Sequence, residues 1–260
     1  MIGQDKLVAK LKSYSITTLP HSILLVGEEG CGKHTLTREI AKHFNIELID
    51  ISNTISLDTI IEISNRPIPT MYMIDCSVLT DRHQNILLKF LEEPCMYAYL
   101  VLLCANKSTI LPTIANRCVS FEFEPYTRDV LSQFVDKDMH VLDVCTTPGQ
   151  ILSLHSGDLF KLETLCVDVA TKIQKANYQN TLSITKKINF KDEFDKYDIN
   201  VFFNVLLSTI YDLYRKSSYN NFSNIYKLVL EYKKRLRDTR LNKELFMENF
   251  LTNLWEMSRC

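Results

Sequence analysis

Glycine and proline are scarce in this chain of 260 residues, which contains six glycines and seven prolines. Such low contents exclude a collagen-like or low-complexity chain. The sequence also lacks an apolar run close to the roughly 20 residues that a membrane-spanning helix needs. Residues 1–12 have no apolar stretch of the signal-peptide kind. We therefore expect a soluble, cytoplasmic protein with no membrane partner.

An excess of charge of one sign is also missing. The chain has 30 Lys and Arg against 31 Asp and Glu, a formal net charge of −1. This balance argues against a surface that binds nucleic acid all round, although it permits a local basic patch. The run 227–240 (KLVLEYKKRLRDTR) is such a patch. It fits contact with DNA phosphates, and it fits the more common solvated face of a packing helix.

The eight cysteines lack the short spacings from which structural zinc sites draw their ligands. No two of them are separated by only two or four residues. In a chain without a secretory signal, free thiols are the more frequent state than disulfides. The sequence therefore predicts free thiols, no zinc, and no side-chain ligand set for another metal.

Short apolar runs alternate with helical patterns in the first half of the chain. Strands are predicted at Ser22–Gly27, Ile46–Ile51, Met71–Asp75, Tyr99–Ala105 and Val119–Phe123. Helices are predicted at Lys33–Phe44, at Leu57–Ser64 and, with Asp81 as its cap, at Gln84–Glu93. This alternation indicates an α/β fold with a parallel sheet.

The pattern changes to helices alone after Pro125. Apolar residues at helical spacing predict Asp129–Val135, Gln150–Ser156, Val201–Tyr214, Ile225–Leu236 and Leu241–Trp255. We predict three domains on this basis. They are a nucleotide-binding-like α/β domain at 1–125, a small helical domain at 126–176 and an all-α domain at 177–260.

The segment Gly27–Lys33 (GEEGCGK) fits the pattern G-x-x-x-x-G-K between a predicted strand and a predicted helix. That context is the one a phosphate-binding loop requires. Its glycines let backbone amides surround a phosphate, the helix N-terminus adds positive potential, and the lysine bridges the β- and γ-phosphates. The motif predicts ATP binding by Gly27, Gly30, Cys31, Gly32, Lys33, His34 and Thr35.

Two positions depart from the pattern of an active ATPase. His34 stands where a Ser or Thr hydroxyl normally ligates Mg²⁺, and imidazole is a poor ligand for this oxygen-seeking ion. Asp75, at the end of a predicted strand, has a suitable side chain for holding Mg²⁺ through water, but the next residue is Cys76, not a Glu that orients the attacking water. ATP and Mg²⁺ are thus candidate cofactors, and we expect phosphate binding without efficient hydrolysis.

Several blocks of sequence resemble the AAA+ clamp-loader family, most closely its delta-prime type of subunit. The resemblance covers residues 1–125 and is carried by the phosphate loop together with Ile2–Gln4, Leu19–His21, Gln84–Pro94, Leu111–Ile114 and Asn116–Cys118. It implies an AAA+ parallel sheet, a helical lid at 126–176 and a C-terminal collar at 177–260 that joins subunits in a ring.

The resemblance also implies roles for single residues. Arg117 corresponds to the arginine that reaches the γ-phosphate of a neighbouring subunit, although an intramolecular salt bridge is the alternative. Asn106 lies near the sensor-1 position, where contact with phosphate and an ordinary turn are both compatible with its side chain. Gln150, in a segment that weakly resembles sensor 2, replaces a basic residue.

The function implied by the resemblance is that of a non-catalytic or weakly catalytic clamp-loader subunit. Its partners would be other clamp-loader subunits of the DNA polymerase III holoenzyme, with the sliding clamp and primed DNA reached through the complex. Two alternatives stay open. One is an active ATPase in which Thr35 and Glu92 or Glu93 compensate for the departures, and the other is an AAA+-derived adaptor outside replication.

Overall fold

A parallel sheet of five strands forms the centre of the first of two compact units in the computed structural model. This unit contains residues 1–131 and 147–149, and the second contains 132–146 and 150–260. The structure describes residues 1–56, 58–59, 62–63, 66–135, 139–154, 157–175, 198–215, 222–236 and 243–257.

The strands follow the order β2-β3-β4-β1-β5 across the sheet. Their bounds are Ser22–Val26 (β1), Glu47–Asp50 (β2), Thr70–Asp75 (β3), Ala98–Cys104 (β4) and Val119–Glu122 (β5). All five pair in parallel, so their carboxyl ends share one edge. The predicted α/β fold is therefore confirmed, and each predicted strand is found within one residue or so at either end.

Helices cover both faces of this sheet, which is why its central strands consist of apolar residues on both sides. In the first unit the helices are Asp5–Lys12 (α1), Lys33–Phe44 (α2), Asp81–Glu92 (α3) and Pro112–Ala115 (α4), and Arg128–Ser132 (α5) follows at its end. Ile23 and Leu25 pack in the same core cluster as residues of α2. Leu24, which points the other way, packs with α3 and α4.

Thr80 caps the N-terminus of α3, so the prediction of Asp81 as the cap is wrong by one residue. The Thr80 hydroxyl accepts a hydrogen bond from the backbone N–H of His83 at 3.3 Å, and His83 Nδ1 accepts from the Thr80 N–H at 3.5 Å. Asp81 instead begins the helix, where its charge suits the positive end of the helix dipole.

The second unit is helical, as predicted. Its helices are Val141–Val144 (α6), Asp158–Lys175 (α8), Ile199–Arg215 (α9), Phe222–Arg235 (α10) and Lys243–Met257 (α11); Pro148–Ser153 (α7) begins in the first unit and continues into the second. Aromatic rings dominate the core, and the Phe203 and Phe250 ring centroids are 4.9 Å apart. Among the described residues, every helix is too short or too polar to cross a lipid bilayer.

Two predictions of organisation fall partly on residues that the structure leaves out. Half of the predicted helix Leu57–Ser64 lies outside the described residues. The predicted boundary at residue 176 adjoins 176–197, which are also outside them. Helix α8 from the lid side of this boundary packs against α9 from the collar side, in one unit. The separation of lid and collar therefore stays a prediction.

We predict that Gln84→Ala lowers the free energy of unfolding by about 1–3 kcal/mol, the cost of leaving a buried donor unpaired. The Gln84 side chain is 1% exposed, and its Oε1 accepts the backbone N–H of Leu111 at 2.8 Å. The measurement is urea-induced unfolding. Asn85→Ala, a neighbouring exposed position of α3, is the control and should change stability by less than about 0.5 kcal/mol. Equal effects of both substitutions would contradict the prediction.

Candidate functional site

The predicted phosphate loop connects the carboxyl end of β1 to the first turn of α2. Gly32 caps α2 in the left-handed conformation, with φ of 100°, which a residue with a side chain rarely adopts. The first amides of α2 have no partner within the helix and point out of its N-terminus. The loop therefore presents backbone N–H groups at the edge of the sheet where the other strands also end.

The Lys33 side chain folds back over its own loop. Its Nζ donates to the carbonyl oxygens of Gly27 at 2.6 Å and Glu28 at 2.9 Å. These bonds give two carbonyl oxygens of the loop a donor from the protein. They also keep the ammonium group within the loop, where a bound phosphate would meet it.

The segment Thr147–Gly149 holds the next two carbonyl groups of the loop. The Thr147 hydroxyl donates to the Glu29 oxygen at 3.0 Å, and the Gly149 N–H donates to the Gly30 oxygen at 2.9 Å. The backbones come so close that a Cβ at position 149 would lie 2.5 Å from the Gly30 Cα. Only glycine permits this approach.

Tyr126 holds the fifth consecutive carbonyl group, because its hydroxyl donates to the Cys31 oxygen at 2.7 Å. Burial raises the pKa of Tyr126 to about 12, so the phenol keeps its proton and remains a donor at neutral pH. Burial also raises the pKa of the Cys31 thiol, although Lys33 opposes this shift. Each of the five consecutive carbonyl groups thus accepts a hydrogen bond within the protein, and the first amides of α2 can form a nest of the kind that binds an anion. The loop thus fits the phosphates of a nucleotide.

The predicted magnesium site, unlike the phosphate loop, departs from the usual pattern. An imidazole lies there beside the expected acidic ligand. His34 Nε2 is 3.8 Å from Asp75 Oδ2, and the other Asp75 oxygen accepts the Ser77 N–H at 2.8 Å. Mg²⁺ demands octahedral oxygen ligands at about 2.0–2.1 Å and retains waters. His34 places an imidazole nitrogen, not a hydroxyl oxygen, next to this carboxylate, so the pair is a poor ligand set for magnesium.

Neither proposed substitute for the missing groups lies at this site. Thr35 is exposed and is rotated by about 100° around α2 from His34, given 3.6 residues per turn. Glu92 is in the last turn of α3, a helix that starts after the carboxyl end of β3 and ends before the amino end of β4. Glu92 and the following Glu93 therefore lie near the opposite edge of the sheet.

Cys76 takes the place of a catalytic base and cannot act as one. Its side chain is 4% exposed. A hydrogen bond to the Cys104 sulfur, together with burial, raises the pKa of Cys76 well above its ordinary value. The thiol is therefore protonated at neutral pH and shielded from the water that a base would have to activate.

Asn106 follows β4 at the same edge of the sheet, as its predicted sensor-1 role requires. Its side-chain oxygen accepts the Ser108 N–H at 3.1 Å and caps the short helix Lys107–Thr109. The side chain thus performs the role of an ordinary turn residue in this structure, and the phosphate contact stays a prediction.

Arg117 is two residues before β5, at the amino edge of the sheet and away from its own phosphate loop. Its guanidinium donates to Glu92 Oε1 at 2.9 Å and to the Thr113 carbonyl oxygen at 3.0 Å. The side chain remains 38% exposed. The alternative of an intramolecular salt bridge is therefore realised, while the position keeps the arginine accessible from outside.

Comparisons of the sequence with known proteins point to the same family as the motifs do. A family model described as DNA polymerase III, delta subunit, matches residues 49–127. DNA polymerase III subunit delta' of Escherichia coli is 26% identical over 210 residues, which cover 70% of this chain and 60% of that protein. The chain is thus similar to proteins of the AAA+ clamp-loader family.

One further curated protein and one solved structure are similar to this chain. DNA polymerase III subunit gamma of Buchnera aphidicola (subspecies Schizaphis graminum) is 27% identical over 170 residues, covering 52% of this chain and 47% of that one. The chain spans about half the length of the first curated relatives it matches. A solved RuvB mutant of Thermotoga maritima shares the fold, with a TM-score of 0.50, 19% identity and coverage of 82% and 78%.

Sequence patterns did not reveal which residues donate hydrogen bonds to the carbonyl groups of the phosphate loop. Tyr126 follows β5, the neighbour of β1, and only this strand order brings it to the loop. The segment predicted to resemble sensor 2 divides: Thr147–Gly149 contacts the loop, whereas the Gln150 side chain bonds Thr146 and Asp198. The sequence predicts no phosphate contact for Gln150, which replaces a basic residue, and these bonds engage its side chain elsewhere.

The cysteines that the structure describes are free thiols. They number seven, and five of them are buried. Within those described ranges, no cluster of three or more His, Cys, Asp or Glu residues could hold a metal ion. The absence of zinc stays a prediction, which elemental analysis of the purified protein can test.

Thr147→Val should loosen the phosphate loop, because it removes the hydroxyl that pairs with the Glu29 carbonyl and keeps the side-chain shape. We expect faster hydrogen exchange at the amides of residues 29–33 and a loss of about 1–3 kcal/mol in stability. Thr147→Ser keeps the hydroxyl and is the matched control. If the Val and Ser variants exchange at the same rate, the hydroxyl does not hold the loop.

Proposed function

We propose that this chain is a delta-prime-type clamp-loader subunit that binds nucleotide phosphates without efficient hydrolysis. It would act in the cytoplasm, in a hetero-oligomeric complex that loads the sliding clamp onto primed DNA during replication. The observation that carries the proposal is an intact phosphate loop beside a buried, protonated thiol at Cys76, where a hydrolysing enzyme needs a base.

The electrostatics of the site support binding over turnover. The loop amides and Lys33 supply positive charge to a phosphate. Hydrolysis further requires an oriented water and a stabilised γ-phosphate. Cys76 cannot activate water, and His34 does not supply a magnesium ligand. The positions of Thr35, Glu92 and Glu93 also speak against the active-ATPase alternative.

Arg117 is the residue that we assign to work on a neighbouring subunit. Because it lies at the edge of the sheet opposite its own loop, it has no access to a phosphate bound there. Its ion pair with Glu92 is surface-exposed, and such pairs contribute only about 0–1 kcal/mol. The guanidinium can therefore leave Glu92 for a phosphate at small cost. A planar fork of donors is suited to that contact.

The helical unit supports a role in assembly more than in DNA contact. Phe160 and Leu152 are 73% and 66% exposed, which suits a collar that packs against other subunits. The described part of the basic run is engaged internally: Lys233 donates to Asn204, and Arg235 pairs with Glu231. This favours the packing-helix interpretation of the run. Residues 237–240 of the run lie outside the described residues.

We expect no ATP turnover above background for the isolated chain, because both groups needed for hydrolysis are replaced. The assay is steady-state phosphate release with Mg²⁺ present. Lys33→Ala, the control for the loop, should leave that background unchanged, whereas His34→Thr combined with Cys76→Glu should gain slow turnover. Robust turnover by the unmodified chain, abolished by Lys33→Ala, would refute the non-hydrolysing assignment.

Arg117→Ala should leave folding and assembly nearly intact and slow the DNA-stimulated ATPase of the complex. An arginine supplied in trans is worth about 10³–10⁵ in rate at its own site. We expect a partial, several-fold loss, since a ring has other sites. Arg117→Lys should not restore the rate, because an ammonium group cannot reproduce the planar fork.

Arg66→Ala is the matched control for this substitution. Arg66 makes a similar exposed ion pair, with Glu47 at 2.7 Å and 35% side-chain exposure. Thermal stability and ATPase rate are measured on both variants. If Arg117→Ala lowers stability but leaves the ATPase of the complex equal to that of Arg66→Ala, Arg117 is structural only.

A further inference from the structure

The basic face of α2 meets two carboxylates at the ends of β2 and β3. His34 and Arg38 are four residues apart and so lie on one face of the helix. His34 approaches Asp75, and both His34 and Arg38 favour the charged form of Asp50. Arg38 thus supplies a positive charge near the Asp50 carboxylate.

Ser52 links the Asp50 carboxylate to the backbone of Asp75. Its hydroxyl and backbone N–H both donate to Asp50 Oδ1, at 2.6 and 3.0 Å, and its oxygen accepts the Asp75 N–H at 2.9 Å. Burial alone would raise the pKa of Asp50, but these hydrogen bonds keep it below its ordinary value. Asp50 Oδ1 and Asp75 Oδ1 therefore each accept hydrogen bonds from the protein itself.

Residue 34 determines whether the site can share a metal with a nucleotide. A short hydroxyl side chain would leave space between the first turn of α2 and Asp75 for a hydrated Mg²⁺. The imidazole instead reaches across that space to within 3.8 Å of the carboxylate. It presents a nitrogen ligand to an ion that prefers oxygen. The mismatch is one of ligand chemistry.

We propose that this site binds nucleotide without using a divalent metal ion, with the imidazole of His34 lying where the metal would be held. The inference rests on the proposed phosphate binding and adds the metal dependence of that binding. An ion carried by the nucleotide would gain no ligand from the protein. The affinity for ADP should then be the same whether Mg²⁺ is present or removed.

The test is calorimetric titration of ADP into the full chain at pH 7.5, once in excess MgCl₂ and once in excess EDTA. For the unmodified chain, the two dissociation constants should agree within about twofold. His34→Thr supplies a short hydroxyl and opens the space, so Mg²⁺ should tighten ADP binding about tenfold or more, which corresponds to about 1.4 kcal/mol.

Two controls accompany this titration. His43→Thr makes the same substitution in the last turn of α2, remote from the loop, and should behave as the unmodified chain does. Lys33→Ala should weaken binding in both buffers. Circular dichroism checks that each variant is folded, and His34→Ser serves as a second hydroxyl variant if His34→Thr is not.

The outcomes separate this inference from the function on which it rests. Tenfold tighter binding with Mg²⁺ by the unmodified chain would overturn metal independence and leave phosphate binding intact. No ADP binding in either buffer would overturn both. The Arg117 experiment on the complex tests the assembly role independently, so a clamp-loader subunit that binds no nucleotide would also be recognised.

Discussion

Parallel pairing of the strands is the constraint on which the arrangement of the site depends. Since all five strands run in one direction, the phosphate loop after β1, Asp75 after β3, Asn106 after β4 and Tyr126 after β5 meet at one edge. The same constraint sends Arg117, just before β5, to the other edge. One sheet therefore separates a phosphate-binding edge from an edge suited to acting on a neighbour.

The loop is a case in which backbone polarity, more than side-chain chemistry, determines what can bind. Five consecutive carbonyl groups are held by donors from Lys33, Thr147, Gly149 and Tyr126. These bonds fix the loop before an anion arrives, while the Cys31 N–H is already engaged by the Glu28 carbonyl oxygen at 3.3 Å. Preorganisation of this kind reduces the cost of ordering the loop on binding. It persists even though the groups needed for hydrolysis are replaced.

The two replaced groups are the ones that would activate the attacking water and ligate the metal ion. Cys76 faces the apolar core with Cys104, so its thiol belongs to the packing of β3 and β4. The His34 imidazole faces Asp75 and presents a nitrogen where a hydrated Mg²⁺ prefers an oxygen ligand. Each change leaves the fold and the phosphate loop intact. Neither side chain takes part in the hydrogen bonds between strands or in those to the carbonyl groups of the loop.

The order of strands and helices, the phosphate loop, and the departures at His34 and Cys76 could all be predicted from the sequence, because they depend on local periodicity and on neighbours along the chain. Contacts between distant segments could not. The Thr147–Gly149 contact, the position of Tyr126, the Arg117–Glu92 pair and the engagement of Gln150 away from the loop depend on which strands lie side by side and on how closely backbones approach. Tertiary packing alone decides these, since residues far apart in sequence meet only when the sheet has formed.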